Sequence, residues 1–229
     1  KQREMWLAEI LSGYGNSLSL SGRTDDAARS LDEAMTIARE IQNPSQIAQA
    51  TLFESNRFYY SGDSKAAVRL AEQASEAAAK ASDRALGLSA RAAVAITSSS
   101  TQPSRALAAQ LSTIAQEADA QGLQYLSLQC SLQRADTLLK LGDRSAARQE
   151  VDRSLAKAEA FGFRLLLAKA RYLRASLLRL GGDADSPREY AAALRVLEEM
   201  KGEEGNQDVL KRADLNAMHE DCVKYSKAA

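Results

Sequence analysis

Side chains that could act as catalysts or metal ligands are sparse in this sequence of 229 residues. The one histidine, His219, is followed directly by Glu220, Asp221 and Cys222. Consecutive helical residues point in different directions, so we do not expect this run to bind a metal ion. The sequence also has no Gly-rich phosphate loop, no paired cysteine motif and no HExxH. We therefore predict no catalytic residues, no metal site, no cofactor and no enzymatic activity.

Charge and cysteine content restrict the class of partner. Lys plus Arg and Asp plus Glu number 30 each, so the chain lacks the overall positive charge that holds nucleic acid or an anionic membrane. No apolar run of 18 residues and no signal segment is present. Cys130 and Cys222 share no motif and are expected to be buried apolar residues. We expect a cytoplasmic protein, and the start at Lys1 indicates a processed form or part of a longer chain, which a further domain could precede.

The elements that must position any site follow a repeat of 40 residues. LLKLGDRSAARQEV, YYSGDSKAAVRLAE, SLSGRTDDAARSLDEA and LRLGGDADSPREYAAAL are versions of one phrase, and their shared glycines are Gly22, Gly62, Gly142 and Gly182. Seven residues before each of these positions, and before Gln102 in the third unit, stands a small residue, as close helix packing requires. This column comprises Gly15, Ser55, Ala95, Ala135 and Ala175.

Each 40-residue unit is predicted to form two helices joined by a tight turn. Alanine is abundant and no stretch alternates with period two, which favours helix over strand. The predicted helices are 4–21, 25–41, 45–61, 64–81, 83–99, 103–121, 123–141, 144–161, 163–180 and 187–201. Asp63 or Ser64, Asp143 and Ser186 before Pro187 are candidate N-caps. Gly122, Gly162 and Gly202 are expected to end second helices in a left-handed conformation, and Pro44 to end the first such helix.

The predicted fold class is an all-α right-handed solenoid, because one hairpin cannot bury its apolar face alone. Its five hairpins are 1–42, 43–82, 83–122, 123–162 and 163–202. Residues 203–229 are predicted to form a C-terminal capping helix. The apolar stripe of this helix would be Val209, Ala213, Ala217, Met218, Cys222 and Tyr225. The alternative for this segment is a detachable amphipathic helix that binds a membrane or a partner.

Residues 11–44 resemble a tetratricopeptide repeat of the longer type found in kinesin light chains and GoLoco-binding adaptors. The resemblance rests on Gly15, Leu18, Gly22, Ala27, Leu31 and Ala34. It extends over about residues 4–201, although the third unit lacks the turn glycine and the fifth has Pro187 at the signature alanine position. These are packing motifs, so they specify a fold much more strongly than a partner.

The resemblance implies that the first helix of each hairpin lines a concave groove that binds a peptide. In the long-repeat family, the asparagine after the small residue holds the main chain of the peptide, which implies this role for Asn16 and Asn56. Amide side chains suit it because they both donate and accept hydrogen bonds. The alternative is that each asparagine is merely solvated. We call the full predicted set the wall residues: Asn16, Ser19, Gln49, Asn56, Tyr59, Gln129, Leu132, Asp136, Lys169, Tyr172 and Arg179.

The predicted helix 163–180 is rich in basic residues and contains no acid. Its cations are Arg164, Lys169, Arg171, Arg174 and Arg179. Such an end could receive an acidic peptide or a terminal carboxylate. The favoured alternative is neutralisation by the acids that follow in the sequence, namely Glu198, Glu199, Glu203, Glu204 and Asp208.

The predicted function is a protein-interaction scaffold that binds a peptide or partner segment in the groove. The main alternative is a regulatory or sensory module of a larger signalling protein, such as a kinase or transcription regulator, that contacts its own chain or self-associates. Self-association would use the alanine-rich convex side. A third alternative, an enzyme of unrecognised type, would need a deep pocket with clustered titratable groups.

Overall fold

A computed structural model describes residues 2–227. Over this range the chain is α-helical with one 3-10 turn and contains no strand, which confirms the predicted all-α class of consecutive packed hairpins. The helices are α1 (Gln2–Leu20), α2 (Thr24–Glu40), α3 (Pro44–Ser61), α4 (Ser64–Ala81), α5 (Arg84–Thr101), α6 (Arg105–Ala120), α7 (Gln124–Lys140), α8 (Arg144–Phe161), α9 (Arg164–Leu180), α10 (Ser186–Lys201) and α11 (Ala213–Tyr225). The 3-10 turn is Val209–Lys211.

The described chain divides into two compact units that are not continuous in sequence. The first unit comprises the chain up to Thr97 together with Gly205–Asp214. The second unit comprises Ser98–Glu204 and the chain from Leu215 onwards. The segment Gly205–Asp214 therefore belongs with the hairpins α1–α2 and α3–α4, although it follows α10 in the sequence. The predicted division into five repeats and a cap stays a prediction.

The small residues of this column lie where the two helices of a hairpin pack against each other, as the sequence predicts. All five positions are buried. A Cβ atom on Gly15 would lie 2.7 Å from Cγ of Leu31 on α2, so α1 and α2 leave no room for a side chain there. In the next hairpin, the buried hydroxyl of Ser55 donates a hydrogen bond of 2.7 Å to the carbonyl oxygen of Ala67. Small side chains thus fix the distance between the two helices of a hairpin.

The turn glycines and two predicted caps also have the expected geometry. Gly22, Gly62, Gly142 and Gly182 all have positive φ, between +71° and +91°, which an L side chain rarely adopts. The Asp63 carboxylate accepts from the backbone N–H of Ala66, and Asp143 accepts from Ala146, so both are N-caps. The repeated Gly-Asp pair is therefore a turn followed by a helix start.

Three predicted capping or terminating roles are wrong, although the bounds of α1–α10 agree with the predicted ones to within two residues. Gly202 has φ −71° and is not left-handed, since it keeps helical angles and its N–H donates to the carbonyl oxygen of Glu198. Pro44 is the first residue of α3, whereas the left-handed residue after α2 is Gln42, with φ +54°. Ser186 does not cap α10. It is the first residue of that helix, and its hydroxyl donates to the carbonyl oxygen of Ala175 across the hairpin.

The predicted stripe of the C-terminal helix is also partly wrong. Ala213 and Ala217 are exposed, whereas Leu215 is fully buried together with Met218 and Cys222. The prediction extended one helix through the whole segment. In the structure the helix begins only at Ala213, after the 3-10 turn, which changes the helical phase of the residues that follow.

Candidate functional site

The two wall asparagines of the first unit contact each other. The Asn56 side-chain amide donates to the Asn16 amide oxygen over a long distance of 3.4 Å, and both side chains are half-buried. They occupy the same position on α1 and α3, 40 residues apart. An amide pair joined by one such bond still has a donor group on Asn16 and an oxygen on Asn56 to offer. The structure therefore brings these two predicted residues together in one polar pair.

The other wall residues of the first unit fall into two classes. Gln49 and Tyr59 are half-buried on α3, and the Tyr59 ring meets the Tyr60 ring edge-on at 5.6 Å. Ser19 is fully buried, and its hydroxyl donates to the carbonyl oxygen of Gly15 one turn earlier. Ser19 has no surface to offer a partner, so we remove it from the proposed contact set.

In the second unit, the wall residues on α7 differ in exposure. Gln129 and Asp136 are half-buried, and the Asp136 carboxylate pairs with Lys140 at 2.7 Å. Leu132 is 3% exposed, because its side chain packs in the hydrophobic core with Leu128. The prediction of Leu132 as a groove contact is therefore replaced by a core role.

Three wall residues lie on α9. Lys169 is half-buried, whereas Tyr172 and Arg179 are contacted by α11. The Tyr172 hydroxyl donates to the Asp221 carboxylate at 2.8 Å. The Arg179 guanidinium lies 4.4 Å from the centre of the Tyr225 ring. The last helix thus lies on positions that the sequence assigned to a partner.

Behind these contacts lies a group of three rings that we call the tyrosine cluster: Tyr172, Tyr190 and Tyr225. Tyr190 is fully buried, and its ring lies 6.0 Å from Tyr172 and 5.3 Å from Tyr225. Its hydroxyl lies 3.1 Å from that of Ser176 and accepts from Arg179. Burial, and then the hydrogen bond to Asp221, raise the pKa of the Tyr172 phenol, so this hydroxyl stays protonated and acts as a donor.

The basic side chains of α9 are largely balanced by acids. Arg164 pairs with Glu199 and Glu203, as the favoured alternative predicted. Arg171 pairs instead with Glu159 and Glu189, which the sequence analysis did not select. These contacts favour neutralisation over an open site for an acidic peptide at these two arginines.

A buried arginine in the first unit, Arg212, was not predicted from the sequence. The Arg212 side chain is 2% exposed and forms two hydrogen bonds of 2.9 and 3.0 Å with the Asp214 carboxylate. It also donates to the carbonyl oxygen of Leu20, at the end of α1, and lies 3.9 Å from the centre of the Tyr60 ring. Arg212 and Leu20 are 192 positions apart, so no local pattern could reveal the contact. We call Arg212 and Asp214 the anchor.

A cavity of about 430 Å³ in the first unit lies beside the segment Gly205–Asp214, which carries the anchor and which we call the anchor segment. Its lining includes Arg23, Asp25, Asp26, Asp208 and Lys211. Arg23 and Arg29 lower the pKa of Asp26 through hydrogen bonds, so this carboxylate is an ion-pair partner with the wrong shift for a general base. Among residues 2–227, no group of three or more His, Cys, Asp or Glu residues is placed to hold a metal ion.

The outer face of α1 is apolar and exposed. Trp6, Ile10 and Tyr14 follow one another at spacings of four, and their exposed fractions are 56%, 63% and 54%. Leu7 beside them is 42% exposed. Composition did not reveal this face, because burial depends on which neighbour packs against a helix. Within the described part of the chain, none of the helices is long and apolar enough to span a membrane.

Comparison with known proteins supports the fold. No protein-family model matches the sequence, and no curated protein matches it. Among solved structures, the chain is similar to a Rap protein complexed with competence and sporulation factor, with a TM-score of 0.67 and 14% sequence identity. The match covers 97% of this chain and 66% of the Rap chain, so this chain spans less than two thirds of that protein. The helical-repeat fold is confirmed, and membership of the tetratricopeptide family stays a prediction.

Proposed function

We propose that this chain is a protein-interaction scaffold that binds a peptide or partner segment on the faces of its first helices. The observation that carries the proposal is the pair of Asn16 and Asn56, which places two amides side by side at matched positions of consecutive hairpins. Half-buried amides of this kind are suited to the alternating donors and acceptors of a peptide backbone.

Two further observations support a binding role for this face. Gln49 and Tyr59 stand on α3, the helix of Asn56, and add an amide and a large ring whose ordering costs little entropy. The Rap protein of similar fold was solved in complex with competence and sporulation factor. That the chain is not an enzyme, that it binds no nucleic acid and that it is cytoplasmic remain predictions from the sequence.

The alternative function, a module that contacts its own chain, is favoured by a separate observation. The C-terminal segment supplies both the anchor of the first unit and the helix that contacts Tyr172 and Arg179 in the second. The two functions are compatible, since a scaffold can be regulated by its own terminal segment.

The test of the proposal is a fluorescent array of 15-residue peptides, followed by anisotropy titration of those that bind. We expect Asn16→Ala/Asn56→Ala to weaken binding about thirtyfold, because it removes two hydrogen bonds that contribute about 1 kcal/mol each. The matched control is Gln110→Ala/Gln149→Ala, which removes two exposed amides from the second helices α6 and α8. Equal affinity of wild type and the asparagine variant for every bound peptide would refute the proposed face.

A further inference from the structure

Helix α11 is seated against α9 and α10 in the way that a bound helical ligand would be. Its inward side buries Leu215, Met218 and Cys222, at spacings of three and four residues. Asp221 and Tyr225 flank this stripe, one turn apart, and make the contacts with Tyr172 and Arg179. An apolar stripe with a few polar contacts is how amphipathic helices dock in grooves.

The length of α11 suits a helix that can leave its site. It has 13 residues, and isolated helices of this length are marginal in water, so α11 depends on docking for its structure. The preceding segment is held separately, because Arg212 donates to Leu20 in the first unit and stacks on Tyr60. Asp214, the second residue of α11, stays paired with Arg212, so undocking of the helix from Leu215 onwards does not require the anchor to break.

The chemistry of the seat defines what it can bind. The Tyr172 phenol stays protonated and donates, so it selects an acceptor such as a carboxylate. The Arg179 cation selects an aromatic face, through a cation–π contact at 4.4 Å. On a helix, residues four apart lie on the same side, as Asp221 and Tyr225 do.

We propose that the face of α9 bearing Tyr172 and Arg179 is a binding site for an amphipathic helix with an acidic residue followed four positions later by an aromatic residue, and that α11 is its internal occupant. A partner helix of this pattern binds by displacing α11. The inference rests on the proposed scaffold function and adds the kind of partner and its regulation at a site in the second unit.

A tethered helix competes at a high effective concentration, on the millimolar scale for a short tether, so a free peptide should not displace the intact α11 at micromolar concentration. The probe is a fluorescein-labelled synthetic peptide of residues 213–227 with Cys222→Ala. The full chain is compared with a variant carrying Asp221→Asn/Tyr225→Ala, which weakens α11 at both specific contacts. We expect the variant to bind the peptide at least tenfold more tightly than wild type.

The matched control is Asn216→Ala/Glu220→Ala, which alters another pair four residues apart on α11, one that is exposed. It should bind the peptide as weakly as wild type. Adding Tyr172→Phe/Arg179→Ala to the weakened variant should abolish peptide binding. A peptide carrying Asp221→Asn/Tyr225→Ala should bind none of the proteins.

A second measurement applies to the wild type and does not depend on a variant. Cys222 is buried on the inward side of α11, and Cys130 is buried on α7. At millimolar concentration, where the free peptide matches the tethered helix, it should accelerate alkylation of Cys222 and leave that of Cys130 unchanged.

The proposal is overturned if the peptide binds neither protein while hydrogen exchange shows α9 and α10 folded, or if the Tyr172 and Arg179 changes leave binding intact. Either result leaves the array experiment on Asn16 and Asn56 unaffected, so the two proposals fail separately.

Discussion

The helices at the two ends of the described chain, α1 and α11, differ in how far their apolar side chains are buried. On α1, Ile10 is 63% exposed, whereas its counterparts at intervals of 40 residues, Ala50, Cys130 and Ala170, are at most 1% exposed. On α11, Met218 and Cys222 are at most 5% exposed. Residue type does not explain the contrast, since Ile10 is the most apolar of the set. What a helix face buries depends on the neighbour that packs against it.

The first prediction concerns the anchor and has the largest expected effect. Arg212→Met should lower the free energy of unfolding by about 3–5 kcal/mol, because it removes the cation that balances the buried Asp214 carboxylate. Arg212→Met/Asp214→Leu should recover part of this loss, since it removes both charges. Urea denaturation of wild type and both variants measures the difference. A double variant less stable than the single one would contradict the electrostatic explanation.

The second prediction compares the two end helices directly. Met218→Ala should cost about 2–4 kcal/mol, because it leaves a cavity beneath α11. Ile10→Ala on α1 should change stability by less than about 0.5 kcal/mol, as substitutions at exposed positions usually do. Thermal unfolding of both variants tests the contrast. Equal losses would show that the face of α1 is covered in solution.

The third prediction separates two effects at glycines of similar geometry. Gly22 and Gly142 have φ of +84° and +83°. Gly142→Ala should cost about 1–2 kcal/mol for the left-handed backbone alone, because a Cβ there meets nothing within 4 Å. Gly22→Ala should cost more, since its Cβ would lie 2.0 Å from the carbonyl oxygen of Asp208. Chemical denaturation of the two variants measures the difference, which is the free energy of displacing the anchor segment. Identical losses would rule out the close approach of Asp208 to Gly22.

The fourth prediction concerns pH and has the smallest effect. Burial raises the pKa of the Cys130 and Cys222 thiols from 9.0 to about 12. Unfolded thiols release their protons near pH 9 while the folded ones retain them. The stability that burial of these neutral thiols provides is therefore present below pH 9 and is lost as pH rises towards 12. Cys130→Ala/Cys222→Ala should lose less stability than wild type between pH 8 and pH 10.5 in urea titrations. An equal loss would contradict this assignment.

The sequence predicted the hairpins because each is determined locally. The small column from Gly15 to Ala175, the turn glycines and the Asp63 and Asp143 caps act within one hairpin, and each recurs at a fixed interval. The predictions failed where rotation of a helix about its axis decides exposure. Ser19 and Leu132 lie near the boundary of the wall face, and a small rotation places both in the interior.

Contacts between distant segments were beyond sequence reasoning. Arg212 contacts Leu20 across 192 positions, and Asp221 reaches Tyr172 across 49. Neither pair belongs to the 40-residue repeat, so no column could indicate it. The tyrosines were visible in the sequence, but their convergence with α11 depends on where that helix begins, which the prediction placed too early.

The first unit includes Gly205–Asp214, which has a consequence for synthesis on the ribosome. Residues up to Thr97 emerge long before this segment, and at the usual rate of 5–20 residues per second the interval is roughly 10 s. During that time the contacts of Arg212 with the carbonyl group of Leu20 and the ring of Tyr60 cannot form. The hairpins α1–α2 and α3–α4 are therefore translated well before the segment that completes their unit, and a nascent chain stalled before residue 205 should be more sensitive to protease in α1–α4 than the released protein.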